Sequence, residues 1–180
     1  MKLYLMRHTA VDVPAGMCYG QTDVPLRPTF PEEAKKCAEQ LQNLHFDAVY
    51  SSPLSRCTRL ATACGYATAK HDHRIKELNF GEWEMQYFSQ IKDPRLQLWY
   101  DDYLHIRTTA GESFIDQYNR VSQFIKELQE KPYENVLAFT HGGVLICAQI
   151  YAGVISMENA FDKIPPYGSL IILELPHRKK

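Results

Sequence analysis

This chain of 180 residues has no apolar run approaching the roughly 20 residues that span a bilayer as a helix, so it carries no candidate transmembrane helix. It has no excess of either charge: 20 Lys and Arg stand against 21 Asp and Glu, a formal net charge of −1. Proteins that grip nucleic acid by bulk electrostatics need a basic face or tail, so that class is not expected. The one basic cluster, His177-Arg178-Lys179-Lys180, reads as a solvated end rather than a binding arm. There is no CxxC pair, and the five cysteines (Cys18, Cys37, Cys57, Cys64 and Cys147) are odd in number. Neither a disulfide framework nor a thiolate zinc site is expected, and most of them read as small apolar fillers. Internal repeats, low-complexity segments and Gly/Ser linkers are also missing. The opening apolar run is short and ends in Arg-His instead of a small-residue cleavage site, so no signal peptide is expected and the cytoplasm is the expected location.

What remains is enough for one well-cored domain and short for two. Residues 2–6 are short, apolar and β-compatible, a buried strand. Residues 31–44 repeat Ala34, Cys37, Ala38, Leu41 and Leu44 on one helix face, after Pro31 and with Glu32 and Glu33 in the first turn. Residues 47–51 form a second strand running into Ser52-Pro53, a cap and a first-turn proline for a helix to about Gly65. Residues 111–131 hold a long amphipathic helix, with Phe114, Ile115, Tyr118, Val121, Phe124, Ile125 and Leu128 as its stripe. Residues 135–140 are a third strand, followed by His141-Gly142-Gly143 and an apolar helix to about Gly153. Residues 169–175 are a fourth strand. Strands alternating with helices predict an α/β fold, a three-layer α/β/α sandwich around a mostly parallel sheet. Residues 86–109 fit no strand; rich in aromatics, they read as a partly helical insertion or lid on the single domain 1–180.

In open α/β sheets, ligands bind beyond the carboxyl ends of the strands. Those ends deliver Arg7 and His8, then Ser51, Ser52 and Arg56, then His141 and Gly142. Cations gathered where helices begin are unfavourable unless an anion sits between them, so the pattern points to a bound dianion. Gly142 lets backbone N–H groups approach it closely. Ser52 before Pro53 is better explained as a cap than as a nucleophile. Cys57 beside Arg56 lacks the glycine-rich loop of a phosphatase cysteine. A neutral histidine is a competent nucleophile, and His8 follows the first strand directly. The proton donor is expected in RIKELNFGEWEM, which offers Glu77, Glu82 and Glu84; a carboxyl beside a dianion holds its proton more tightly. His71-Asp72-His73 has no third ligand nearby and reads as a solvated loop rather than a metal site. The aromatics between Tyr87 and Tyr103 could stack a flat base, and for most of them packing of the insertion is the favoured reading.

LMRHT, SSPLSR, ELNFGEWEM, GESF and THGG, in this order, resemble the histidine phosphatase superfamily, also called phosphoglycerate-mutase-like, over nearly the whole chain. The resemblance implies a phosphoric monoester hydrolase working in two steps through a phosphohistidine, with no metal and no cofactor. It implies His8 as nucleophile, Arg7 and Arg56 as phosphate clamps, His141 as the second, charge-stabilising histidine, and Glu77 as proton donor. ELNFGEWEM and CYGQTDVPL look most like the α-ribazole-5′-phosphate phosphatases of cobalamin nucleotide-loop assembly, where Tyr19, Gly20 and Gln21 fall on a segment that closes over the phosphate. The chain departs from the pattern at Thr9, which stands for the motif glycine and could donate its hydroxyl to phosphate. It departs again at Ile146 and Cys147, where many relatives carry arginine, and at Val13-Pro14, where asparagine is common. These departures leave the chemical core in place and open the substrate's identity. The expected partner is a small phosphomonoester, with no nucleic acid and no membrane. An edge strand or the aromatic insertion could support a homodimer. The competing readings are a broad sugar-phosphate or nucleotide phosphatase, a mutase-type phosphoryl transferase, and a non-catalytic phospho-ligand binder.

Overall fold

The strand at the start of the chain is β1 (Lys2–Arg7), and its side chains separate cleanly onto two faces. Leu3 and Leu5 enter one apolar cluster, Tyr4 and Met6 another. The same division holds in β4 (Asn135–Thr140), where Val136 and Ala138 face one way and Leu137 and Phe139 the other. Both faces are apolar because both are covered, which is why these strands read as continuous hydrophobic runs. The computed structural model describes residues 1–161 and 164–178, and Lys179 and Lys180 of the terminal basic cluster lie outside the described residues.

The sheet has the order β3-β2-β4-β1-β5, with β2 at Ala48–Ser51, β3 at Lys70–His71 and β5 at Leu170–Glu174. All neighbours are parallel except β5, which pairs antiparallel with β1. Helices α1 (Phe30–Gln40) and α2 (Ser55–Ala63) cover one face through Ala34, Cys37, Cys57, Leu60 and Ala61. Helices α4 (Phe114–Gln129) and α5 (Gly142–Tyr151) cover the other. The three-layer α/β fold expected from the alternation is therefore present.

Two local expectations are corrected and one strand is added. Ser52-Pro53 does not open α2: the backbone is still extended at Leu54, and Ser55 begins the helix. Asp23, from a distant loop, accepts the Ser55 backbone N–H at 2.9 Å and does the capping in place of Ser52. Helix α1 stops at Gln40 instead of running to Leu44, and a left-handed turn at Asn43 follows it. Strand β3 escaped notice because it is two exposed residues long and has no alternation to display.

Residues 86–109 contain a 3₁₀ turn at Phe88–Gln90 and the short helix α3 (Arg95–Asp101). Trp99 of α3 touches the rings of Phe80, Trp83, Phe88, Tyr100 and Tyr103. Asp93 ties the segment down by accepting from the indole N–H of buried Trp83 at 2.7 Å and from the Thr109 hydroxyl.

Helix α4 starts in a capping box: Ser113 Oγ accepts the Asp116 N–H at 3.3 Å, and Asp116 accepts the Ser113 N–H at 2.9 Å. Replacing Ser113 by Ala is expected to lower unfolding free energy by about 1 kcal/mol in urea denaturation, with an unchanged m-value.

Candidate active site

The last bond between β1 and β4 fixes two imidazoles beside each other. His8 donates its backbone N–H to the Thr140 carbonyl at 2.9 Å, one residue before His141. The two rings meet edge to face with centroids 5.2 Å apart. His8 is only 2 % exposed. Its Nδ1 lies 2.7 Å from the Thr9 carbonyl oxygen. A carbonyl can only accept, so Nδ1 carries the proton and Nε2 keeps its lone pair. Burial, then the charge of Arg56, and to a smaller degree that of Arg7, hold the His8 pKa down to about 3 from 6.5. The ring is therefore neutral at any ordinary pH.

His141 is fully buried. Arg56 Nε donates to its Nδ1 at 3.3 Å, which leaves the proton on Nε2, 2.8 Å from Ser52 Oγ. Burial and Arg56 push its pKa well below the usual value. The Cys57 thiol lies 3.5 Å from His141 Nε2, and burial pushes its own pKa up to about 12, so it stays a thiol.

The arginines hold different postures. Arg56 is fully buried, and its guanidinium also donates to the carbonyls of Thr22 and Gly20. Gly20 is pressed against the next segment: a Cβ there would lie 1.8 Å from the Leu78 carbonyl oxygen. Arg7 donates to the Pro165 carbonyl and is covered by the Tyr167 ring, 4.0 Å from its Cζ. Arg7 Nε is buried with no partner among the described residues. A Cβ on Gly142 would come within 3.1 Å of the Arg7 guanidinium carbon, so this residue lets the cation reach the start of α5.

Glu77 also lies against that helix start. Its Oε1 accepts from the Leu78 N–H and from Gln117 Nε2, both at 2.9 Å, and its Oε2 accepts from the Gly143 N–H at 3.2 Å. A Cβ on Gly143 would sit 2.3 Å from Glu77 Oε1, so the approach needs a glycine. Behind it, Arg120 donates to the carbonyls of Arg74, Lys76 and Glu77 and pairs with Glu112 at 2.8 Å. These contacts hold the loop that carries the carboxylate.

Arg7, His8, Arg56, Glu77 and His141 thus converge. Of the alternatives to Glu77, Glu82 is exposed, while Glu84 is a staple that accepts the N–H groups of Gln21, Thr22 and Phe80. Among the residues expected at the phosphate, Tyr19 lines the cavity and its hydroxyl lies 2.8 Å from that of Tyr167. Gln21 instead donates its side-chain amide to the Glu77 carbonyl at 3.1 Å. The Thr9 side chain is buried, with no partner for its hydroxyl among the described residues.

A cavity of about 410 Å³ adjoins the cluster. Arg7, His8 and Glu77 share its wall with Phe80, Phe88, Trp99, Tyr103, Phe114 and Phe161. Phe88, Trp99 and Tyr103 of the insertion therefore both pack and face the cavity. Sequence reasoning passed over Gln117, which also lines it. The signal was there: Gln117 follows Phe114 by three and precedes Val121 by four, a polar residue on an apolar stripe. Arg120 and Tyr167 were missed because their partners come from remote segments, and Ser52, read as a helix cap, instead meets His141 Nε2. Among the described residues, no group of three or more His, Cys, Asp or Glu is arranged to hold a metal ion, and no helix is long and apolar enough to cross a membrane.

Comparison with known proteins gives a consistent picture. The family model described as the histidine phosphatase superfamily (branch 1) matches residues 3–180. Phosphoserine phosphatase 1 of Hydrogenobacter thermophilus is 30% identical over 151 residues, covering 78% of this chain and 71% of that protein. An Escherichia coli protein named "Probable phosphoglycerate mutase GpmB" is 28% identical over 157 residues, covering 82% and 72%. The crystal structure of the alpha-ribazole phosphatase from Shigella flexneri superposes with a TM-score of 0.86 at 25% identity, covering 99% of this chain and 96% of that one.

Two histidines buried neutral set a pH dependence. The unfolded chain binds protons at both below about pH 6.5, and the folded His8 does so only near pH 3. The two histidines' contribution to stability is complete above pH 6.5 and is lost as pH drops through the window toward 3. The urea midpoint of the wild type is expected to fall more steeply between pH 6.5 and 4.5 than that of a His8→Asn variant.

Proposed function

Since the chain belongs to branch 1 of the histidine phosphatase superfamily and is a phosphatase, we propose that it hydrolyses α-ribazole 5′-phosphate through a phosphohistidine formed on His8. His8 Nε2 attacks phosphorus, the ester P–O bond breaks, and the leaving oxygen takes a proton from Glu77. Water then attacks the phosphohistidine, Glu77 takes the water's proton, and the P–N bond breaks to release phosphate. Arg7, whose buried Nε lacks a partner among the described residues, and Arg56 hold the dianion. His141 turns its Nε2–H from Ser52 Oγ to the transferring group and stabilises charge there.

The observation that carries the substrate is the cavity wall. Phe80, Phe88, Trp99, Tyr103 and Phe114 suit a flat heteroaromatic base. Phosphoserine and phosphoglycerate carry a carboxylate besides their phosphate. Among the described residues lining the cavity, Arg7 is the one Lys or Arg side chain, and it belongs to the phosphate. The wall thus favours an apolar aromatic alcohol over a small acidic one. The Shigella flexneri alpha-ribazole phosphatase shares the fold over nearly the whole chain. The reading calls on no cofactor, nucleic acid or membrane.

Released phosphate is the decisive readout. With a chelator present, kcat/KM for α-ribazole 5′-phosphate is expected to exceed that for phosphoserine or 3-phosphoglycerate by roughly 100-fold, about 2.7 kcal/mol of differential transition-state binding. His8→Asn should abolish turnover, and Arg56→Met should lower kcat by about 100-fold. A preference for either carboxylated substrate would overturn the substrate assignment; undiminished turnover by His8→Asn would overturn the mechanism.

A further inference from the structure

Gln117 is a polar side chain in an apolar place. It sits on α4 between Phe114 and Val121, is 0 % exposed, and forms part of the cavity wall beside Glu77. A primary amide brings two N–H donors and a carbonyl acceptor. One donor is used, because Nε2 donates to Glu77 Oε1 at 2.9 Å. The carbonyl is not used: Oε1 is buried and has no partner among the described residues.

The orientation of the amide follows from its neighbour. Turned the other way, Gln117 would set its carbonyl oxygen against a carboxylate oxygen that already accepts the Leu78 N–H. Glu77 therefore draws the NH₂ group toward itself and leaves the oxygen as the free end. An unpaired buried carbonyl is destabilising, and such groups deserve an explanation in native structures. A partner brought in with the ligand supplies one. The partner must be a donor, since a phosphate or carboxylate oxygen would be repelled.

We propose that Gln117 Oε1 is a specificity-determining acceptor for a hydroxyl on the alcohol portion of the phosphomonoester. This rests on the phosphatase reading above, in which Glu77 serves the leaving oxygen. Gln117 touches Glu77 through its nitrogen and lines the same cavity, so the donors a ligand brings near its oxygen are the groups flanking that leaving oxygen. On a pentose 5-phosphate those groups are the ring hydroxyls. A site built to hydrogen-bond a hydroxyl discriminates against the analogue lacking it, because the buried acceptor is then left unpaired. The aromatic wall selects the base, and Gln117 selects the sugar.

The test measures kcat/KM for two series, α-ribazole 5′-phosphate and adenosine 5′-phosphate, each with its 2′-deoxy and 3′-deoxy analogues. p-Nitrophenyl phosphate serves as the hydroxyl-free reference. In the wild type, loss of one of the two hydroxyls is expected to lower kcat/KM by roughly 10-fold or more. Gln117→Met, close in size and without hydrogen-bonding groups, should bring that ratio to about one. Gln117→Leu should do the same if methionine disturbs folding. Either variant also loses the bond to Glu77, which lowers each nucleotide and its deoxy analogues, all 5′-alkyl esters with the same leaving oxygen, by a common factor that cancels in the ratio. If the wild type hydrolyses p-nitrophenyl phosphate but ignores both hydroxyls in both series, the phosphatase reading stands and the Gln117 proposal falls. The proposal also falls if the variants keep the wild-type ratio, since Gln117 then only positions Glu77. If the wild type hydrolyses none of the compounds, the phosphatase reading fails and takes the proposal with it.

Discussion

The parallel pairing of β1 with β4 is the constraint on which the site depends. It puts Arg7 opposite Thr140 and sends both strands out of the sheet at the same level. His8 and His141 leave side by side because they are the next residues in register, and the His8 N–H extends the ladder by one bond to the Thr140 carbonyl. A shift of one residue would turn every side chain of β1 to the opposite face and take the apolar residues out of their clusters. The register that fills the core is thus the register that pairs the histidines.

Two imidazoles buried beside two arginines form an unusual electrostatic arrangement. Neither ring bears a charge, and each has its proton placed by a neighbour: Thr9 on His8 Nδ1, Arg56 and Ser52 on the two nitrogens of His141. The arginines are anchored by donating to backbone carbonyls of Pro165, Thr22 and Gly20, which leaves further N–H groups of each guanidinium for a ligand. Arg7 Nε is buried with no partner among the described residues. Under the proposed mechanism the result is an unprotonated nucleophile set in a positive field, where an entering dianion meets donors fixed in advance.

Under the proposed function, chemistry and selectivity occupy different parts of the structure. Arg7, His8, Arg56 and His141 stand on strand ends and a helix start of the central layers. The aromatic wall draws Phe88, Trp99 and Tyr103 from the segment between Trp83 and α4. That segment is held by its own packing and by Asp93. Tyr103 and Leu104 at its end pack against the core between the sheet and α4, and the relatives of this superfamily bear the names of phosphoserine, phosphoglycerate and alpha-ribazole enzymes. Glu77 and Gln117 lie where the two parts meet.

The sequence by itself determined the layered α/β fold, because strands covered on both faces must be apolar throughout and helices covered on one face must be striped. It also drew attention, through its strand ends, to Arg7, His8, Arg56 and His141, while the choice of Glu77 as proton donor came from the resemblance to the family. It misjudged Ser52, whose neighbour Pro53 imitates a helix start, while Asp23 caps α2 from another part of the chain. It left Glu77 to compete with Glu84, and only the contacts of Glu84 with Gln21, Thr22 and Phe80 separate a staple from a carboxylate at the cavity. The tautomers of both histidines, the orphaned atoms of Arg7 and Gln117, and the bridge between Tyr19 and Tyr167 were decided by tertiary structure alone. Hydrophobic periodicity is local and is written along the chain, whereas a hydrogen bond between residues 85 apart, such as that from Arg56 to His141, has no signature until the fold brings its ends together.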